Sequence, residues 1–80
     1  MAIMTKAQAK NFAEMEDFML ELCDFLKSKG VIDATVHRSI LLKGFSRLVD
    51  YLQEKKVITA KEAREAMDKG FTSLVYAMTK

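Results

Sequence analysis

Few side chains in this sequence are equipped for chemistry. There is one cysteine, Cys23, and one histidine, His37. Counting back through a turn centred near Val31 sets His37 level with Leu26, within one helical turn of Cys23, so a thiol–imidazole dyad is geometrically conceivable. Such a dyad needs a third group to orient the base, and none is evident. Cys23 also falls on an apolar helix face. The expectation is an inert core thiol and a half-buried histidine near a helix start. One cysteine and one histidine do not make a ligand set for zinc, so no metal is expected. The sequence holds no phosphate-binding loop, serine-nucleophile motif or pair of carboxylates in a cleft. The reading is a non-enzyme without a cofactor.

Arg38 and Arg64 are the next candidates. Turn-counting sets Arg38 level with Asp24 and Arg64 level with Asp50, which predicts two interhelical ion pairs. Arginines without those partners become sites for an anionic ligand such as a nucleotide at a subunit interface, because the guanidinium fork matches phosphate and carboxylate.

Gly44 and Gly70 stand inside otherwise helical stretches, where glycine costs about 1 kcal/mol relative to alanine. The same octet surrounds both: Leu42-Lys-Gly-Phe-Ser-Arg-Leu-Val49 and Asp68-Lys-Gly-Phe-Thr-Ser-Leu-Val75. Laying residues 22–54 on 48–80 gives 13 identities in 33 positions, among them Asp24/Asp50, Val31-Ile32/Val57-Ile58, Ala34/Ala60 and Arg38/Arg64. An internal repeat at an offset of 26 follows. A glycine at a repeated position is expected where helices pack closely, with the following phenylalanine filling the space beside it. Ala66-x-x-x-Gly70 also has the spacing of a helix-turn-helix turn. The helix offered to DNA would carry Ser73, Tyr76, Thr79 and Lys80, with one basic residue among them.

The elements that position these residues are read from caps and periodicity. Thr5 with Gln8, Asp33, and Thr59 with Glu62 are N-terminal helix signals, two of them capping boxes. Gly30 is expected to end the first helix in the left-handed conformation, after Lys27 and Lys29 at the negative end of its dipole. Apolar residues recur at spacings of three and four from Phe12 to Leu26, from Val36 to Leu52 and from Ala60 to Met78. No proline interrupts them. The prediction is an all-α fold of three helices, about 5–29, 33–55 and 59–79, joined by connections of about four residues. They form one up-down-up antiparallel bundle over residues 1–80, built from a helix-turn unit of about 26 residues.

Charge and exposure point to a binding role. Net charge is +2, too small to require a polyanionic partner. Asn11–Leu26 carries five acids and no base, whereas 35–49 carries Arg38, Lys43, Arg47 and His37 without an acid. Either the two helices neutralise each other or they present two faces to partners. Phe12, Leu20, Ile3 and Met4 fall outside a three-helix core, so self-association through the first helix is expected, giving a homo-oligomer. The predicted contact set is Phe12, Glu14, Asp17, Leu20 and Glu21 on the acidic helix with Lys43 and Arg47 on the basic one. No stretch has the length of a membrane span or the pattern of a signal peptide, and a single cysteine suits a reducing compartment, so the chain is read as cytoplasmic. The function expected is a small protein-binding regulator, adaptor or inhibitor.

Overall fold

The three predicted caps all form. Thr5 accepts from the Gln8 N–H at 3.1 Å while the Gln8 side chain accepts from the Thr5 N–H at 2.9 Å. Thr59 and Glu62 repeat that box at 3.1 and 2.9 Å, and Asp33 accepts from the Val36 N–H at 2.8 Å. Each cap satisfies N–H groups that a helix start leaves without an internal partner. In a computed structural model, which describes residues 3–79, these caps open α1 (Lys6–Glu14), α3 (Ala34–Lys43) and α5 (Ala60–Lys69). Residues 1, 2 and 80, and with them the ends of the predicted domain and Lys80 of the helix-turn-helix reading, lie outside the described residues.

The three long rods do not form. Each is broken in two, and the second halves are α2 (Phe18–Ser28), α4 (Phe45–Glu54) and α6 (Phe71–Ala77). The described residues therefore hold six short helices and no strand. Two of the breaks are the repeated glycines. Gly44 has φ +89° and ψ −162°, and Gly70 has φ +100° and ψ −164°, a region open essentially to glycine alone. Each glycine donates its N–H back to close one helix, to Ile40 at 2.7 Å and to Ala66 at 2.8 Å. Its carbonyl then opens the next, accepting from Leu48 and Leu74 at 3.4 Å. A methyl added at either position would meet no atom within 4 Å. Close helix packing is thus not their role; they turn the chain.

The first break has no glycine. Met15 adopts an extended backbone, φ −78° and ψ 143°, and α2 restarts after Asp17. A continuous helix would stack Glu14 on Asp17 and Asp17 on Glu21, like charges three and four residues apart. The break instead places Asp17 and Glu21 at a helix N-terminus, where the dipole favours negative charge.

The repeat unit is accordingly a helix pair. Helix α3 moved by 26 residues is α5, and α4 moved likewise overlies α6. The pair α1–α2 fits the same frame when Thr5, Asp33 and Thr59 are aligned, with Glu16 and Asp17 as extra residues at its break. Each helix packs on its chain neighbours, and α6 returns onto α1 to close a ring measuring 26 × 24 × 23 Å. The core repeats three times over: Met4/Ile32/Ile58, Phe12/Ile40/Ala66, Leu22/Leu48/Leu74, Cys23/Val49/Val75 and Leu26/Leu52/Met78 are all buried. Truncating any of the three fully buried central leucines to alanine should cost about 2–5 kcal/mol. Phe18, Phe45 and Phe71, at the starts of the three second helices, gather with ring centroids 4.2 Å (Phe18–Phe71) and 6.4 Å (Phe45–Phe71) apart.

The turns between units are the same turn. Val31 N–H reaches the Leu26 carbonyl at 2.9 Å and Val57 N–H the Leu52 carbonyl at 2.9 Å. Both turns pass through a left-handed residue, Gly30 at φ +77° and Lys56 at φ +61°. At the ring's closure the chain is discontinuous, yet the bond recurs: the Ile3 and Met4 N–H groups donate to the Met78 carbonyl at 3.1 and 3.4 Å. Packing Met4 and Phe12 into this closed core removes the reason for expecting them on a self-association surface. Phe12 is 8% exposed and packs edge-on against Phe25, its centroid 5.3 Å away.

Candidate functional site

Where one unit meets the next, the second helix of the first lies against the first helix of the second, leaving a seam. Caps at Asp33 and Thr59 fix the phase of α3 and α5, so the fourth residue after each cap turns towards the preceding unit. In the α2–α3 seam that residue is His37. Its Nε2 donates to the Asp24 carboxylate at 3.0 Å, and the imidazole is largely covered. This is the contact that turn-counting assigned to Arg38. The shorter, ring-bearing side chain one position earlier occupies the seam, and Arg38 is exposed. No carboxylate lies within ion-pair distance of Arg38 or Arg64 among the described residues, so neither predicted arginine pair forms.

Cys23 sits beneath the same seam, fully buried. Burial, reinforced by the neighbouring Asp24 charge, pushes its thiol up to about 11. A nucleophilic cysteine needs the opposite shift. The dyad is absent in any case, since His37 turns its Nε2 to Asp24.

The α4–α5 seam has the same layout, and its most consequential exchange is at the histidine. Asp50 stands for Asp24, Ala60 for Ala34 and Arg64 for Arg38, all identical, while Met67 stands for Leu41 and Val49 for Cys23. At the histidine's position is Ala63, which is buried. With a methyl where the other seam has a ring, an open groove of about 230 Å³ remains, lined by these residues and by Gln53, the equivalent of Lys27. Asp50 is exposed at its edge and also borders a shallow polar depression with Arg47 and Glu54. In the third seam, between α6 and α1, Tyr76 replaces the aspartate and Ala9 the histidine.

The predicted contact residues are dispersed. Glu14, Asp17, Leu20 and Glu21 are exposed on α1, α2 and the break between them, with Leu20 at 46%. Lys43 is exposed at the end of α3. Arg47 is half-buried on α4, donating to Ser39 at 3.4 Å, 3.8 Å from Glu54 and lying over the Tyr51 ring. Between the acidic and basic stretches, His37–Asp24 is the contact that forms. The remaining acids of that first stretch make no ion pair among the described residues.

Four residues on the faces expected to be buried from their apolar spacing are exposed: Met15, Leu41, Leu42 and Met67. Leu42 is 81% exposed, directly after Leu41 at 47%. A signal for Leu42 was available in the repeat. Its equivalents are Glu14 and Asp68, so two of the three units place an acid there.

Among the described residues no group of three or more histidine, cysteine, aspartate or glutamate side chains could hold a metal ion, and no helix is long and apolar enough to cross a membrane. No family model, curated protein or solved structure matches the chain.

Proposed function

We propose that the chain is a protein-binding module, a small regulator, adaptor or inhibitor that acts through the outer surface of its helices. The observation that carries this reading is Leu42. At 81% exposure it contributes almost nothing to the core, and the fold accepts a carboxylate at the same place in both other units. Packing therefore gives no reason for a leucine. With Leu41 beside it and Lys43 next in sequence, it forms an apolar contact point with a basic neighbour, the composition of a small interaction surface. The exposed acids Glu14, Asp17 and Glu21 supply a second, oppositely charged face for the same kind of recognition.

The test is Leu42→Asp, the residue that the third unit carries. Thermal stability should stay within about 0.5 kcal/mol, as for a surface position away from any packed feature. Affinity capture with the wild-type chain from its native cells should retain a partner that the variant loses. Light scattering on both proteins identifies a second copy of the chain as that partner if the wild type alone shows a concentration-dependent mass. Identical capture and identical mass for the two proteins would sink the proposal.

A further inference from the structure

The α2–α3 and α4–α5 seams share their aspartate and differ at one decisive position, His37 against Ala63. From the pairing of His37 with Asp24 and the open counterpart formed by Ala63 and Asp50, we infer that the α4–α5 groove binds a small imidazole-class heterocycle, whose ring N–H donates to the Asp50 carboxylate.

The turns leading into the two seams share their backbone hydrogen bonds: Val31 to Leu26 and Val57 to Leu52, both at 2.9 Å, and Lys29 to Phe25 and Lys55 to Tyr51, both at 3.0 Å. α3 and α5 begin and end at equivalent residues, and α2 and α4 end at equivalent residues, Ser28 and Glu54. The carboxylate, the alanine at the helix start and the arginine are identical in both seams. The protein thus contains a worked example of this site with an imidazole in it, held at 3.0 Å by its aspartate. Replacing that side chain by the methyl of Ala63 removes the ring and leaves the acceptor. The resulting space, about 230 Å³, lies below the usual range of drug-sized pockets, roughly 300–1,000 Å³, and suits a single ring. Val49, Ala60, Ala63 and Met67 give the groove apolar walls, and Asp50, Gln53 and Arg64 give it polar ones. Thioether and aliphatic walls against a planar ring, with one charge-assisted hydrogen bond to orient it, are a sufficient recognition set.

This inference goes beyond the protein-binding reading and is tested separately from it. The ¹⁵N-labelled full chain is titrated with imidazole about two pH units above the ordinary histidine value of roughly 6.5, where the free ring is mostly neutral. Saturable amide shifts should centre on Asp50, Ala63, Arg64 and Met67, with a dissociation constant on the order of millimolar for so small a ligand. Asp50→Asn, a change at an exposed position, should weaken binding about tenfold through loss of the charged acceptor. Ala63→His should abolish it, because the built-in ring then takes the groove. A parallel titration with acetyl-histidine amide distinguishes the source. Tighter binding than free imidazole points to a partner's histidine, and weaker binding points to a free heterocycle. Shifts scattered over the surface, shifts centred on His37 and Asp24, or an affinity unchanged in Asp50→Asn would overturn the assignment, whether or not Ala63→His folds.

Discussion

Gly44 offers the sharpest test of the fold, because three accounts of it predict three different pairs of responses to L- and D-alanine. If α3 and α4 were one rod, Gly44→Ala would stabilise by about 1 kcal/mol through helix propensity. If the glycine admitted a neighbouring helix, any methyl would destabilise. The structure places Gly44 at φ +89°, ψ −162°, with no atom within 4 Å of an added methyl. The cost of L-alanine is then purely conformational, about 1–3 kcal/mol for an L-residue held in that region. For a chain of this size each kcal/mol moves the melting temperature by roughly 4–8 °C. D-alanine separates strain from crowding. Its mirror-image preferences make φ +89°, ψ −162° as comfortable as extended backbone is for an L-residue. Introduced by chemical synthesis, D-alanine should equal glycine or stabilise by up to about 1 kcal/mol, because it restricts the unfolded chain. The assay is thermal and urea unfolding of the glycine, L-alanine and D-alanine proteins side by side. A stabilising L-alanine would refute the break and restore the continuous helix. Equal destabilisation by both alanines would refute the absence of a neighbour. Gly70, at φ +100° and ψ −164°, should respond in the same way.

Two further predictions follow from the threefold pattern. Cys23 holds its proton to about pH 11 when folded, against about 9 when unfolded. Below pH 9 both states are protonated and the thiol has no effect on the balance. Between 9 and 11 the unfolded chain releases the proton and the folded one does not, so stability falls by roughly 2–3 kcal/mol across that interval. Cys23→Val, carrying the residue of equivalent positions Val49 and Val75, should remove that component of the pH dependence in urea titrations; an unchanged difference between pH 8 and pH 10.5 would show that the thiol is not its source. The ring should also tolerate a new opening. A circular permutant with its ends joined by a short linker and cut between Lys55 and Lys56, where Lys56 sits at φ +61°, should unfold cooperatively within a few degrees of the parent. Loss of the cooperative transition would mean that the Met78–Ile3 contact is not equivalent to the covalent turns.

How the fold was legible depends on which residues carried each signal. Caps are local chemistry, and Thr5, Asp33 and Thr59 were readable because their side-chain oxygens serve N–H groups two or three residues away. The repeat was readable because identical positions face identical surroundings. The breaks were not. Helical periodicity runs through Gly44 and Gly70 without losing phase, since one extra residue at a turn barely disturbs a pattern with spacings of three and four. Glycine inside such a pattern fits a close contact as well as a left-handed turn, and only the backbone angles distinguish them. The break at Met15 had even less to mark it, an extended residue with no proline, glycine or capping side chain; the clue was the clustering of Glu14, Asp17 and Glu21 on what would have been one helix face.

The seam chemistry was hidden for a different reason. Turn-counting set the height of each residue along its helix correctly enough to place Asp24 beside the start of α3. It does not resolve one residue of rotation, which is about 100° at 3.6 residues per turn. Arg38 and His37 are one residue apart, and that rotation decides which of them enters the seam. Repeat comparison supplies the missing phase. Ala63, in the third unit, is buried and faces the seam, so His37 at the equivalent position must face its own. The same logic isolates Leu42 against Glu14 and Asp68. In a chain that contains three versions of one unit, conformity at a position reports what the fold requires. The departures, His37 and Leu42, are where requirements other than folding have room to act.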